Sequence, residues 1–218
     1  RYRNFFADDE YFDTEKVTGI NYAGKEPTLD LRVEDEHNFI ADGIVVHNTG
    51  VQRSGLTPFS TSTTTSPVGD KSLGNIRPKK PMPEIALAHG IPYVAVASTG
   101  FTQDLQRKVK KAISIKGPKY IQIHVPCPLG WRHETNLTLQ VAKLAVETGL
   151  YPLIEYGNGI LISKRQIAPK PVEEYLKLQG RFKHLLNNPA AIKQIQEIAD
   201  NNIKKYGLKI EKTETSPE

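Results

Sequence analysis

The chain has 218 residues, room for one large or two small domains, and a net charge of +5. Hydrophobic residues make up only 38%, and 15 prolines with 16 glycines predict many turns. No run reaches the roughly 18 apolar residues of a membrane span, and no basic start with an apolar stretch marks a signal peptide. A single cysteine, Cys127, excludes an internal disulfide and fits a reducing cytoplasm. Arg1 in the place of a Met reads as part of a longer product.

Residues 1–10 are polar and aromatic without a period. Residues 11–48 read as short strands. Val17-Thr18-Gly19-Ile20 and Leu29-Asp30-Leu31-Arg32-Val33 carry β-branched alternation, with turn chemistry at Ala23-Gly24-Lys25-Glu26-Pro27 between them. Asp42-Gly43 is a hairpin signal leading into Ile44-Val45-Val46. An all-β unit of about forty residues is too small to stand alone and predicts a missing N-terminal half.

From Thr49 the character changes. Residues 54–83 hold few apolar side chains and the run Ser60-Thr61-Ser62-Thr63-Thr64-Thr65-Ser66-Pro67, a loop or linker by composition. Ile91 to Ala97 reads as a buried strand, and Thr102 to Ile115 as a helix with Leu105, Val109, Ala112 and Ile113 inward. Tyr120 to Val125 is a strand, and Asn136 to Thr148 a helix closed by Gly149. Tyr151 to Tyr156 and Gly159 to Ser163 form a hairpin around Gly157-Asn158. Pro171 opens a helix through Leu178. Asn188-Pro189 caps a last helix, with Ile192, Ile195, Ile198, Ala199 and Ile203 inward and Gly207 at its end. Alternation of strand and helix predicts an α/β layer with a mostly parallel sheet.

Basic residues cluster at Arg77-Pro78-Lys79-Lys80 and from Arg107-Lys108 to Lys110-Lys111. They read as a solvated loop and helix face, or as a docking patch for an acidic partner. No aromatic-rich basic groove points to nucleic acid, and no membrane partner is expected. Asn136-Leu137-Thr138 has the form of a glycosylation acceptor and, without a secretion signal, reads as chance. His89, His124 and His133 lack the spacing of a metal site and read as structural.

The densest chemistry lies at His47-Asn48-Thr49, behind a short apolar strand. Asn48 can attack its own backbone carbonyl through its side-chain amide. His47 can donate a proton to that carbonyl or to the departing amine, and the Thr49 hydroxyl can accept an acyl group. With Asp30-Leu31, Val33, His37-Asn38-Phe39 and Gly43, the stretch resembles the C-terminal splicing blocks of inteins, which are Hint-type all-β elements. The resemblance implies autocatalytic protein splicing at Asn48–Thr49, with Asp30 and His37 assisting by proton transfer and charge stabilisation. An N-terminal intein half would be the partner, in the same product or in trans. Residues 1–48 would be discarded and residues 49–218 kept.

The kept part has four ordered motifs. They are Thr49-Gly50-Val51-Gln52-Arg53-Ser54-Gly55-Leu56-Thr57-Pro58, Thr63-Thr64-Thr65-Ser66-Pro67-Val68-Gly69, Ala88-His89-Gly90-Ile91-Pro92-Tyr93-Val94-Ala95 and Pro126-Cys127-Pro128-Leu129-Gly130-Trp131-Arg132. Over about residues 49–182 they resemble the β subunits of archaeal-type 2-oxoacid:ferredoxin oxidoreductases, pyruvate synthase among them. The resemblance implies a partial thiamine-diphosphate-binding α/β fold. It also implies thiamine diphosphate with Mg2+ and a [4Fe–4S] cluster, both completed by residues missing from this chain. Thr49 and Gly50 match a phosphate-anchoring segment, and Cys127 matches a cluster ligand, with Trp131-Arg132-His133 packing over it. Implied partners are other oxidoreductase subunits, ferredoxin, pyruvate and coenzyme A. A 2-oxoisovalerate-type enzyme, or a splicing element on an inactive host remnant, remains open.

Overall fold

The computed structural model describes residues 38–41, 44–47 and 51–210. Asp30, His37, Asn48, Thr49 and Gly50 lie outside the described residues. The chain divides into two compact units, Arg1–Asn48 and Thr49–Glu218.

In the first unit, β1 (Asn38–Ala41) pairs antiparallel with β2 (Ile44–His47). Ala41 stands opposite Ile44, and the Asp42-Gly43 hairpin signal lies outside the described residues. His47 closes the ladder opposite Asn38.

In the second unit, residues 51–75 form an ordered loop. A two-residue ribbon, β3 (Val68–Gly69) with β4 (Ser72–Leu73), lies within it. Asn75, buried, holds the loop: its side-chain amide donates to the carbonyls of Thr57, Pro58 and Arg77. Gly74, at φ +85°, brings its backbone so close that an added Cβ would lie 2.4 Å from the Thr61 carbonyl oxygen. Only glycine fits both demands. In the hydroxyl-rich run, Thr63 accepts from the Ser66 amide, Thr64 donates to the Val51 carbonyl and Thr65 accepts from the Arg53 amide, while the Ser60 and Thr61 hydroxyls are buried without a partner among the described residues.

The central sheet has the order β6-β5-β7-β8: β6 (Lys119–His124), β5 (Tyr93–Ser98), β7 (Ile154–Gly157) and β8 (Ile160–Lys164). β5 pairs parallel with β6, whereas β5–β7 and β7–β8 are antiparallel. The described sheet is therefore mixed, which corrects the mostly parallel expectation. A tight hairpin sets the β7–β8 direction, and its tip is Asn158-Gly159, at φ 49° and 80°. Asn-Gly is the pair that tolerates positive φ at both central positions of a two-residue loop.

Helices cover both faces of β5, a strand buried along its whole length. Tyr93 and Ala95 pack with Ala112 of α2 (Thr102–Ser114), while Val96 joins the larger core. That core includes Val141 and Leu144 of α4 (Thr138–Glu147), Tyr175 and Leu176 of α5 (Val172–Leu176), and Ile195 and Ala199 of α6 (Pro189–Tyr206). A further helix, α1, spans Met82–Ala88. As the sequence predicts, Asn188 caps α6 by accepting from the Ala191 amide, and Gly207 ends it in left-handed geometry. Two inward assignments fail: Ile113 and Ile198 are exposed, while Lys108 of α2 is buried. The segment at Asn136 starts as a 3-10 turn, Thr135–Leu137, before α4 begins. Among the described residues no helix is long and apolar enough to cross a membrane.

Candidate functional site

The parallel pair β5 and β6 ends at Ser98 and His124, and the loops beyond those ends meet. The Thr99 amide and hydroxyl both donate to the His124 carbonyl, at 3.1 and 3.3 Å. Ligands of open α/β sheets gather beyond the carboxyl ends of such strands. Cys127 lies three residues past β6. It caps a single turn, α3 (Pro128–Trp131), and its Sγ accepts a hydrogen bond from the Gly130 amide at 3.3 Å. Flanking prolines fix the backbone on both sides. An added Cβ at Gly130 would lie 3.3 Å from Cys127 Sγ and 3.0 Å from Val51 Cγ2. The turn is therefore packed against Val51, the first described residue after Thr49-Gly50.

Trp131 closes this turn and is buried, with His124 at 5.3 Å between ring centres. Arg181, from the 3-10 segment Gly180–Leu185, lies over the other components: its guanidinium carbon is 3.7 Å from the Trp131 ring centre. It donates to Gln179 Oε1 at 2.9 Å and to the Tyr175 hydroxyl at 3.1 Å. The Lys79 ammonium sits 4.3 Å above the Tyr151 ring. Burial, then the Arg181 charge, push its pKa down to about 8, against a pull upward from Glu84. Burial holds His124 well below the usual histidine range, and the charges of Lys79 and Arg181 add to this. His124 Nε2, Trp131 Nε1 and His133 Nε2 are buried without hydrogen-bond partners among the described residues.

The two basic clusters differ in how far they face solvent: Arg77, Arg107, Lys110 and Lys111 are exposed, whereas Lys79 is half-buried and Lys108 is buried. Lys79 is half-buried against the Tyr151 ring. In the second cluster, Arg107 and Lys111 pair with the buried Glu155 at 2.7 and 2.8 Å. Lys108 bonds Asp104 and the Val96 carbonyl. That cluster clips α2 to β7.

Of the candidate residues, Cys127 is the one placed within the cation-rich site. His47 ends β2 in the other unit. Sequence reasoning missed Arg181, placed Lys79 in a solvated loop or docking patch, and read His124 as structural. The Pro-Lys-Lys-Pro run around Lys79 looks solvated, and nothing periodic marks Arg181. The described part of the site offers a partly exposed thiol with an amide donor on its sulfur and the buried Arg181 stacked on the same turn's Trp131. Among the described residues no three His, Cys, Asp or Glu side chains gather as a metal site. Cys127 fits the role of one ligand in a shared shell, since four thiolates are the usual set.

The described part of the second unit is a mixed α/β domain that presents one thiol close to the buried Arg181, beyond its parallel strands. No protein-family model matches the chain. The chain is 49% identical over 206 residues to pyruvate synthase subunit PorB of Methanosarcina barkeri, covering 88% of this chain and 70% of that protein. It is 43% identical to pyruvate synthase subunit PorB of Methanocaldococcus jannaschii, covering 95% of this chain and 71% of that protein. It is 42% identical to ketoisovalerate oxidoreductase subunit VorB of Pyrococcus horikoshii, covering 76% of this chain and 58% of that protein. The chain belongs to the PorB family of pyruvate synthase subunits.

Proposed function

We propose that residues 49–218 form the C-terminal part of the β subunit of a pyruvate synthase, a 2-oxoacid:ferredoxin oxidoreductase. The observation that carries this is the 49% identity to a pyruvate synthase PorB over most of the chain. The reaction turns pyruvate, coenzyme A and oxidised ferredoxin into acetyl-CoA, carbon dioxide and reduced ferredoxin. Bound thiamine diphosphate supplies the nucleophilic carbon and electron sink that decarboxylation needs. In this chain, the Thr49 hydroxyl and backbone N–H would hold its magnesium-bound phosphate, and Gly50 lets the backbone approach. Cys127 sulfur would ligate one iron of a [4Fe–4S] cluster. The stiff Pro-Cys-Pro backbone and the Gly130 amide hold that sulfur in place. Matches to VorB as well as PorB leave the 2-oxoacid to be settled by assay. Other subunits, ferredoxin and the cytoplasm are the proposed partners and setting.

The test is the full-length subunit assembled with its partners. Cys127→Ser should lose one cluster's iron and labile sulfide together with pyruvate-dependent ferredoxin reduction. Full iron content in that variant would remove Cys127 from the ligand set.

Upstream of Thr49, the reading is an intein that ends at Asn48. The Asn48 side-chain nitrogen attacks its own carbonyl carbon, a succinimide forms, and the bond to Thr49 breaks as the amine takes a proton. The placement of His47 at the end of β2, directly before Asn48, supports this, as does a division of the chain at Asn48 and Thr49. One observation favours a second reading, a continuous PorB chain. The Methanocaldococcus match covers 95% of this chain and so runs upstream of Thr49. Intact mass of the expressed full-length product decides between them. Splicing predicts a shortened host whose formation Asn48→Ala blocks; a single uncut chain in both forms refutes it.

A further inference from the structure

Two cations, the buried Arg181 and the half-buried Lys79, lie beside the Cys127 turn, and neither forms an ion pair with a carboxylate among the described residues. Arg181 is 2% exposed, yet its hydrogen-bond acceptors, Gln179 Oε1 and the Tyr175 hydroxyl, are neutral. Its guanidinium stacks on Trp131, the residue that closes the turn capped by Cys127. The segments are also tied by backbone: the Gly180 amide donates to the Arg132 carbonyl at 2.8 Å. Lys79 adds a second cation, whose charge acts on Arg181 and which makes no ion pair among the described residues. A buried charge is costly unless a counter-charge compensates it. Everywhere else in the described unit, buried charge finds one: Glu155 has Arg107 and Lys111, and Lys108 has Asp104. Besides the Tyr175 phenol, the ionisable group that acts favourably on Arg181 is the Cys127 sulfur. Trp131 Nε1, buried in the same place, also lacks an acceptor. The arrangement keeps positive potential at a thiol and leaves the anion to be supplied.

We propose that Arg181, with Lys79 behind it, is the positioning cation for an anionic iron–sulfur group held by Cys127, and raises its potential by stabilising the reduced form. The inference rests on the assignment of Cys127 as a cluster ligand. Reduction adds one electron to an already negative group, so a nearby fixed cation in a low-dielectric site favours the reduced state. Hydrogen bonds, charge and burial around a cluster are the levers by which a protein sets its potential.

The experiment is a redox titration of the assembled, full-length complex, followed by electron paramagnetic resonance. Arg181→Gln should lower the equilibrium constant for one-electron reduction at least tenfold, about 59 mV more negative. Arg181→Lys should return the potential toward the parent value, because charge rather than stacking is restored. Lys79→Gln should move it in the same direction by less. An intact cluster at unchanged potential in Arg181→Gln overturns the proposal. Where that variant fails to assemble, an unchanged potential in Lys79→Gln overturns it. Full iron content in Cys127→Ser is a separate outcome, which removes the ligand assignment itself.

Discussion

Around Glu155, buried charge is matched: Arg107 and Lys111 reach it from α2 at 2.7 and 2.8 Å, and their own outer surfaces stay wet. Around Cys127 it is not: Arg181 and Lys79 are desolvated, and their contacts are aromatic rings and neutral oxygens. The same residue types thus serve two ends. Matched charge holds a helix on a sheet and needs nothing more. Unmatched charge raises the free energy of the empty domain, and a fold keeps it where something negative is to be bound.

Three changes break or sharpen that contrast. Trp131→Ala has the largest expected effect. It removes a buried indole and the surface on which Arg181 lies, and chemical denaturation should show a loss of about 3–5 kcal/mol. Glu155→Gln comes next, at about 2 kcal/mol, since its partners are half exposed and regain water. Burial pushes the Glu155 pKa up, but hydrogen bonds from Lys111 and Arg107 outweigh it, and the net shift is below 4.5. Its stabilisation is therefore complete above that value and is lost as pH falls through the lower folded pKa. The wild-type and Glu155→Gln stabilities should converge in acid; a gap that persists there would contradict the charge-matched account.

Lys79→Met should act with the opposite sign. Its folded pKa of about 8 lies below the ordinary 10.5, so the unfolded chain holds a proton that the folded one releases between those values. Stability of the parent should rise with pH across that window. In the cluster-free protein, Lys79→Met should be more stable at pH 7 by about 2 kcal/mol, with the advantage fading toward pH 10. Thermal melts across that range check it, and equal melting temperatures at pH 7 would place Lys79 among the compensated charges.

Local rules carried much of the fold. The α6 caps at Asn188 and Gly207 and the buried run of β5 follow from side-chain chemistry within a few residues. Sheet direction did not follow, because strand order alone leaves β7 free to run either way, and its pairing partner β5 lies sixty residues upstream. Ile113 and Ile198 fit a helical stripe yet face water, because a stripe marks a direction and the neighbouring elements set its width.

At the candidate site, one part was readable and another was not. Pro126-Cys127-Pro128, as a motif within a handful of residues, announced a stiff turn with an accessible thiol. Membership in the PorB family was also carried by contiguous motifs. The cations around that thiol come from residues 79 and 181, and their sequence neighbours are ordinary loop residues. Their removal from solvent, the lack of an ion-paired carboxylate among the described residues and the stacking on Tyr151 and Trp131 exist only once distant segments pack. Desolvation is a property of the surroundings, so a lysine in a polar loop and a lysine beneath an aromatic ring read alike until the chain is folded.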